Sequence, residues 1–498
     1  MAPSVLPLLV IATSLVPAVV VMALPERRAR TREALTLFGA VSKVALVAAL
    51  LAGVARGEVY EASWQVLPDL EMVLRVEELP LLFLTLSAVL WLATTVYALG
   101  YLDGDRRLSR FFGFFNLCVT ATMGIGLAGN LFTFLIFYEL LTVSTYPLVV
   151  HEGDRKALAG GRSYLAYAVT GGSVLFPAMV VLHVLVGPVD FASGGVLAEA
   201  AGQNPIALTA VFVLLVVGLG VKAALVPGHG WLPRAMVAPT PVSALLHAVA
   251  VVKAGAYGIV RVVLDLYGPD TAAELGLLPP LAALAAGTLV FGSVMAIRQD
   301  GLKPRLAYST VAQLSFVTLG VSLASPVAVV GGLVHLVHQG LMKVTLFYCA
   351  GAVATELGAH RVSELAGVGR RMPLTMGAFT LAGLGMVGVP PLAGFVTKWH
   401  LGVGGVLAGQ WWVPALMLLS SLLTAAYVLP VVHAAWFRQP ADPWPARGGR
   451  REVRPSLLWP ALVTAMAVVA VGVLADAPFS PLSWSQLIAQ EAFSEAAP

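Results

Sequence analysis

The chain has 498 residues, 58% of them hydrophobic and only 11% charged, with a mean hydropathy of +0.87. That balance excludes a set of soluble domains. The formal net charge of +4 does not point to nucleic acid, because the basic residues fall in short loops between hydrophobic runs, where they act as topology signals rather than as a binding groove.

Hydrophobic runs of about 20 residues, the length that crosses a bilayer core as a helix, recur through the chain. Unpaired backbone groups are so costly in hydrocarbon that such runs must be helical. The expected class is therefore all-α, a polytopic membrane protein of about fourteen transmembrane helices, called spans 1 to 14: residues 5–24, 35–54, 79–101, 108–129, 131–150, 163–187, 206–227, 241–262, 276–298, 304–324, 326–354, 373–404, 411–437 and 456–476. Residues 5–24 lack a basic stretch ahead of them and are read as a retained first span, not a cleaved leader. Lys and Arg then alternate as the positive-inside rule requires. They collect around Arg27 to Arg32, Arg106 to Arg110, Arg155 to Arg162, Arg234, Arg298 to Arg305, Arg361 to Arg371, and in the last loop at Arg438, Arg447, Arg450, Arg451 and Arg454. The opposite loops and span ends hold only Arg56, Arg75 and Arg261. Both termini are expected outside. Residues 55–78, with Tyr60 and Trp64 among acids, read as an outside hairpin or interfacial element. The acidic tail after residue 477 reads as a partner contact or as an unattached terminus.

Charges inside a membrane are expensive and by default mark an ion or proton path. The buried set is Lys43 in span 2, Glu139 in span 5, Lys222 in span 7, His247 and Lys253 in span 8, His335, His338 and Lys343 in span 11, and Lys398 in span 12. Glu139 is the one acid well inside an expected span, which makes it the counter-charge for one of several lysines. Burial penalises an ammonium and a nearby carboxylate favours it, so moving Glu139 and Lys222 together or apart would load or release a proton. Lys43 stays open between a path residue and a plug at a subunit contact, since long basic side chains also snorkel. A lone His such as His247 is more often a satisfied interior group; here its company makes it a relay candidate. His335 and His338 share a helix face at i, i+3. They are relay candidates too, with no further obvious ligands for a metal. Cys118 and Cys349 are far apart, so no zinc or iron–sulfur spacing exists, no cofactor or metal is expected, and any redox chemistry would sit in a partner.

Two spans carry breaks. Span 7 runs into Val226-Pro227-Gly228-His229-Gly230-Trp231-Leu232-Pro233, and span 12 holds Gly388-Val389-Pro390-Pro391-Leu392-Ala393-Gly394 near its middle. Proline removes a backbone donor and frees carbonyls to meet an ion, water or lysine. Interrupted helices at matching places point to repeats around a midplane site. The breaks are five spans apart, which gives two inverted five-helix repeats: residues 108–262 (spans 4–8) and 263–437 (spans 9–13). Residues 1–107 precede them, and residues 438–498 hold a loop, span 14 and the tail. Lys222 before one break and Lys398 after the other are the mirrored placement that inversion produces.

The segment from Lys222 to Arg261, with Ala238-Pro239-Thr240-Pro241-Val242-Ser243-Ala244-Leu245-Leu246-His247-Ala248 and Val252-Lys253-Ala254-Gly255-Ala256-Tyr257, resembles the proton-translocating antiporter-like subunits shared by Mrp-type cation/proton antiporters, respiratory complex I and membrane-bound hydrogenases. Phe137-Tyr138-Glu139, Leu306-Ala307-Tyr308-Ser309, Leu341 to Phe347 and Gly394-Phe395-Val396-Thr397-Lys398 extend the resemblance over most of residues 100 to 400. It implies that Glu139 and Lys222 form a first charge pair, that Lys253 passes protons toward the centre, that Lys398 serves the second half, and that His247 and Lys343 lie near a hydrated polar axis. Two positions depart from the family pattern. Gln339 stands where many relatives have His before the span 11 lysine, which leaves the relay role of His338 open. Arg234 stands where complex I relatives often have Asp after Trp-Leu-Pro, which favours the Mrp-type branch.

The function expected from these residues is proton translocation in a multisubunit Na+ or K+/proton antiporter, as its D-type component. The alternatives are an antiporter-like subunit of complex I or a hydrogenase, where the chain would belong to a redox-driven enzyme, and a proton-coupled subunit of a solute or inorganic-carbon system. Expected partners are other membrane subunits, protons, Na+ or K+ and the lipid bilayer, with no nucleic acid. The expected place is the inner membrane of a bacterium or archaeon.

Overall fold

The computed structural model describes residues 4–440, 443–444 and 452–494. Helices α1 (Leu6–Ala23) and α2 (Ala29–Val54) lead into an antiparallel hairpin of β1 (Tyr60–Leu67) and β2 (Leu70–Val76), then α3 (Glu78–Tyr101), α4 (Leu108–Leu127), α5 (Leu131–Val149) and α6 (Arg155–Val186). A short α7 (Ala198–Gln203) precedes α8 (Pro205–Lys222). Next come a 3-10 turn at Gly228–Gly230, α9 (Trp231–Arg234) and a second 3-10 turn at Ala235–Val237. One long irregular helix follows, made of α10 (Thr240–Ala244), a π-helical stretch at Leu245–Val249, α11 (Val251–Arg261) and a second π-helical stretch at Val262–Tyr267. After α12 (Pro269–Glu274) come α13 (Leu278–Ile297), α14 (Leu302–Val321), α15 (Pro326–Leu357), a turn at Val362–Glu364 and α16 (Val368–Arg371). The chain closes with α17 (Pro373–Val387), α18 (Ala393–Leu407), α19 (Trp412–Phe437), α20 (Pro455–Val473) and α21 (Pro481–Ser494).

Eleven of the described helices are long and apolar enough to cross a membrane: α1 to α6, α8, α13, α15, α19 and α20. The other three expected spans are helical but depart from that simple type. Span 8 is the irregular α10–α11 helix, and span 12 is split into α17 and α18. Span 10 is α14, which is less apolar because Ser309, Thr310, Gln313 and Ser315 are buried against protein. The all-α polytopic architecture is as the hydropathy requires. Its central column is α15, which packs on α14, α17, α18, α20, α21 and α3.

Several boundaries move for local reasons. The Asp154 carboxylate accepts from the backbone N–H of Ala157 at 2.6 Å, so α6 starts at Arg155, well before the expected residue 163. Span 7 is expected to run to residue 227 with Lys222 ahead of its break; instead the α-helix ends on Lys222 itself. Ala224 takes a left-handed φ of 58°, and the N–H groups of Ala223 and Leu225 turn back to Leu219 and Gly220. Span 8 continues past 262 through Tyr267. That extension places Asp265, only 5% exposed, inside the protein, so Glu139 is not the sole acid within the spans.

Within the expected element at residues 55–78, β1 and β2 form the hairpin, pairing from Tyr60 opposite Val76 with one irregularity between Gln65 and Leu67. Arg75 ties it to the α6–α7 connection through Asp190 at 2.7 Å and pairs across the sheet with Glu61 at 2.6 Å. Arg261, expected at the end of span 8, lies within the helix because span 8 continues to Tyr267; it is 2% exposed and forms an ion pair with Asp265 at 2.7 Å. The described part of the tail, through Ser494, is attached rather than loose, since α21 packs on α15 and α3 and Trp484 donates to the Glu78 carbonyl at 2.8 Å. Of the last loop's cations, Arg447, Arg450 and Arg451 lie outside the described residues.

Candidate functional site

The site draws on α5, α8, α11, α14, α15 and α18, of which α8 and α18 adjoin the breaks marked by the sequence. At the end of α8, the ammonium of Lys222 is buried and donates at 2.5 Å to the carbonyl of Tyr138 on α5, with its nitrogen 3.3 Å from the centre of the Tyr138 ring. A cation over an aromatic face with a carbonyl beside it replaces part of the lost hydration. Glu139 is the next residue, yet among the described residues no ion pair joins it to Lys222. One carboxylate oxygen of Glu139 has no protein partner, and the residue lines an open depression of about 440 Å³ with Leu135, Val169, Gly172, Ser173 and Phe176. The expected charge pair is thus not closed: Lys222 is held by Tyr138, while Glu139, the next residue, faces this depression.

Lys253, on α11, donates to the carbonyl of Leu336 on α15. The Gln339 side-chain amide of α15 donates across the same seam to the His247 carbonyl at 3.3 Å, while the His247 Nδ1 meets the Thr310 hydroxyl of α14 at 2.9 Å. His247 lies in the π-helical stretch, where the backbone widens to i→i+5 bonding such as Ala250 N–H to Leu245 O at 2.9 Å. Such bulges recur at functional sites because they re-aim a side chain without ending the helix. Lys343 donates to the Ser309 hydroxyl and, at 3.3 Å, to the Leu306 carbonyl.

In the second half, His335 and His338 converge on one hydroxyl. Their Nδ1 atoms lie 3.2 Å and 3.0 Å from the Thr397 oxygen. The next residue, Lys398, donates to the carbonyl of Val387 at 2.8 Å and to the Ser421 hydroxyl at 2.9 Å. The freed carbonyl expected at the break therefore meets a lysine, and it is the lysine of the same span. Lys43 is elsewhere, within the α1–α4 bundle, 2.6 Å from the Ser14 hydroxyl.

Chemically, these are buried amines held on backbone carbonyls and hydroxyls, with imidazoles and further hydroxyls beside the second half that can both give and take a proton. A hydroxyl does so by rotating, and an imidazole by exchanging between its two nitrogens. The Nε2 atoms of His247, His335 and His338 and the Gln339 amide oxygen make no protein hydrogen bond, leaving each open to a water or a further relay partner. The sequence marks the amines and imidazoles; Thr310 and Ser421 lie outside every motif segment singled out above, and Tyr138, Ser309 and Thr397 stand within such segments without a role of their own. Hydroxyls in membrane helices commonly bond their own preceding turn, as Thr310 also does to Leu306 at 3.0 Å, so nothing local distinguishes a relay hydroxyl from an ordinary one.

Comparison with known proteins agrees with this architecture. Residues 128–424 match the family described as NADH:quinone oxidoreductase/Mrp antiporter, TM. The chain is 36% identical over 443 residues to NADH-quinone oxidoreductase subunit N of Desulforudis audaxviator, covering 85% of this chain and 86% of that protein. It is 27% identical to a Na(+)/H(+) antiporter subunit of Bacillus subtilis, the D-type component, over 79% of this chain and 78% of that one. One chain of the Mrp complex from Dietzia sp. DQ12-45-1b superposes with a TM-score of 0.84 over 98% of both chains at 22% identity. The matched region holds every buried amine and imidazole described above except Lys43, and the chain belongs to the membrane-subunit family shared by NADH:quinone oxidoreductases and Mrp antiporters.

Proposed function

We propose that this chain moves protons along the buried axis from Glu139 through Lys222, Lys253 and the His335/His338/Thr397 cluster to Lys398, as one subunit of a multisubunit membrane complex. The observation that carries the reading is the Lys253 bond to the α15 carbonyl, because it joins the lysines of the first half to the imidazoles of the second. Lys222 switches between the Tyr138 carbonyl, its partner in the structure, and Glu139, where a carboxylate favours the protonated amine. His247 and Lys343, linked to α14 by Thr310 and Ser309, branch from this axis.

Residues 108–262 and 263–437 act as two inverted five-helix units. The reading is supported by consecutive packing in both, α4 on α5, α6 on α8 and α8 on α11 in one, and α13 on α14, α15 on α18 and α18 on α19 in the other. The alternating basic loops support an inner-membrane topology with both termini outside.

The first reading of the coupling is Na+ or K+/proton antiport, in line with the name of the Bacillus subtilis relative. A redox-driven complex is the second, favoured by the 36% identity to an NADH-quinone oxidoreductase subunit over most of both chains. The test is cation-induced collapse of a preformed pH gradient in everted vesicles carrying the assembled native complex. Collapse on adding Na+ or K+, lost in Lys222→Ala, is expected for antiport. An assembled complex with no cation response but redox-driven acidification that Lys222→Ala abolishes moves the assignment to the second reading. Normal proton movement in assembled Lys222→Ala under both conditions overturns the axis itself.

A further inference from the structure

Among the described residues, Lys43 is the one buried lysine of the spans that the axis and its branch leave unused. It is fully buried between α1, α2, α3 and α4, with its ammonium 2.6 Å from the Ser14 hydroxyl and 4.5 Å from the centre of the Trp91 ring. The groups facing it are neutral: Ser14 from α1, Trp91 from α3 and, through Ser14, Thr120 from α4 at 3.0 Å. Among the described residues no acid forms an ion pair with it. Polar side chains continue from this point in one direction. Thr120 is one turn from Asn116, whose amide donates to the Thr36 hydroxyl at 3.5 Å. Arg32, one turn nearer the start of α2, is 2% exposed and donates to Ser109 at 3.2 Å and to Glu26 at 3.4 Å. Glu26 is more than half exposed, at the α1–α2 turn.

We propose that the N-terminal bundle holds a second proton route, opening beside Glu26 and Arg32 and ending on the amine of Lys43. Positions 32, 36 and 43 of α2 share one face and positions 109, 116 and 120 of α4 share the facing one, so the track is a seam between two helices rather than scattered polar residues. With a rise of about 1.5 Å per residue, Lys43 lies roughly 20 Å from the start of α2, past the middle of a hydrocarbon core of about 30 Å. A second observation marks the seam as a conduit. The Asn116 amide oxygen, the Ser87 and Thr95 hydroxyls and the Trp91 indole N–H are all buried with no protein partner. Ser87, Trp91 and Thr95 stand one turn apart on α3, the helix that packs on both α2 and α15. A purely architectural bond to Ser14 needs no such row, and a hydroxyl would make it without placing an amine in hydrocarbon. Naming the entrance cytoplasmic rests on the topology proposed above; the existence of the route does not.

The experiment uses the assembled complex with Lys43→Cys and a small, membrane-impermeant cationic methanethiosulfonate reagent, the buried Cys118 and Cys349 of the unsubstituted complex giving the background. The expected result is labelling from the face that carries Glu26, roughly tenfold slower in a Lys43→Cys/Asn116→Leu double variant. Labelling from the opposite face alone, or from neither, overturns the route. Lys43→Gln keeps a donor for Ser14 but cannot titrate. Its proton transport is expected to fall about tenfold with an altered pH profile while assembly is retained. An unchanged rate and profile in Lys43→Gln, with loss of assembly in Lys43→Met, makes Lys43 an architectural anchor and ends the proposal. Failure of the Glu139–Lys398 axis is read separately, because Lys222→Ala leaves cysteine labelling at position 43 in place.

Discussion

Lys398 reaches back across the break in its own span: its ammonium donates at 2.8 Å to the carbonyl of Val387, the last residue of α17. The residue after Val387 is Gly388, at φ +92°, and a Cβ there would lie 2.9 Å from the Lys398 side chain. The break and the lysine therefore form one device. Gly388→Ala should both strain the backbone by about 1 kcal/mol or more and displace Lys398. The expected outcome is an assembled complex with proton transport reduced at least as much as in Lys398→Arg, measured by acidification in vesicles.

Glu139 has room to move because of one residue. A Cβ on Gly172 would sit 2.2 Å from its carboxylate oxygen. Gly172→Ala is expected to lower transport roughly tenfold, about 1.4 kcal/mol in the barrier, with little change in the amount of complex assembled. Transport equal to the unsubstituted protein would show that the carboxylate does not use this depression.

The Thr397 hydroxyl serves two imidazoles at once, His335 and His338. Thr397→Val keeps the shape and removes the oxygen, leaving two buried ring nitrogens unpaired at a cost of about 1–3 kcal/mol. A lower unfolding temperature and slowed transport are expected together. The double variant Thr397→Val/His338→Leu should recover part of the stability but none of the transport, which separates packing from relay.

Arg261 and Asp265 are buried together at 2.7 Å, with Glu77 as a second acid at 3.4 Å. Removing Asp265 leaves the buried Arg261 with only the partly exposed Glu77 as counter-charge, so Asp265→Ala should destabilise by about 3 kcal/mol. Glu77→Gln, at a partly exposed position, should cost much less. Thermal unfolding of the purified complex distinguishes the two.

Much of this molecule is legible along the chain. Hydropathy placed the spans because lipid leaves the backbone no alternative to helix, and the Pro- and Gly-rich stretches located both breaks. The lysines and histidines stood out because charge within hydrocarbon is costly wherever the helix goes. What stayed hidden is long-range: Lys253 finds Leu336, His335 and His338 find Thr397, Lys43 finds Ser14, and each partner looks ordinary in its own segment. The end of α8 on Lys222 depends on hydrogen bonds that turn back into the preceding helical turn, and the burial of Asp265 on a π-helical extension that no residue pattern announces. Sequence thus determined which groups are held in the membrane, since solvation energy is a property of each segment. The tertiary structure alone decided which of them touch, since contact between helices depends on packing across the whole bundle.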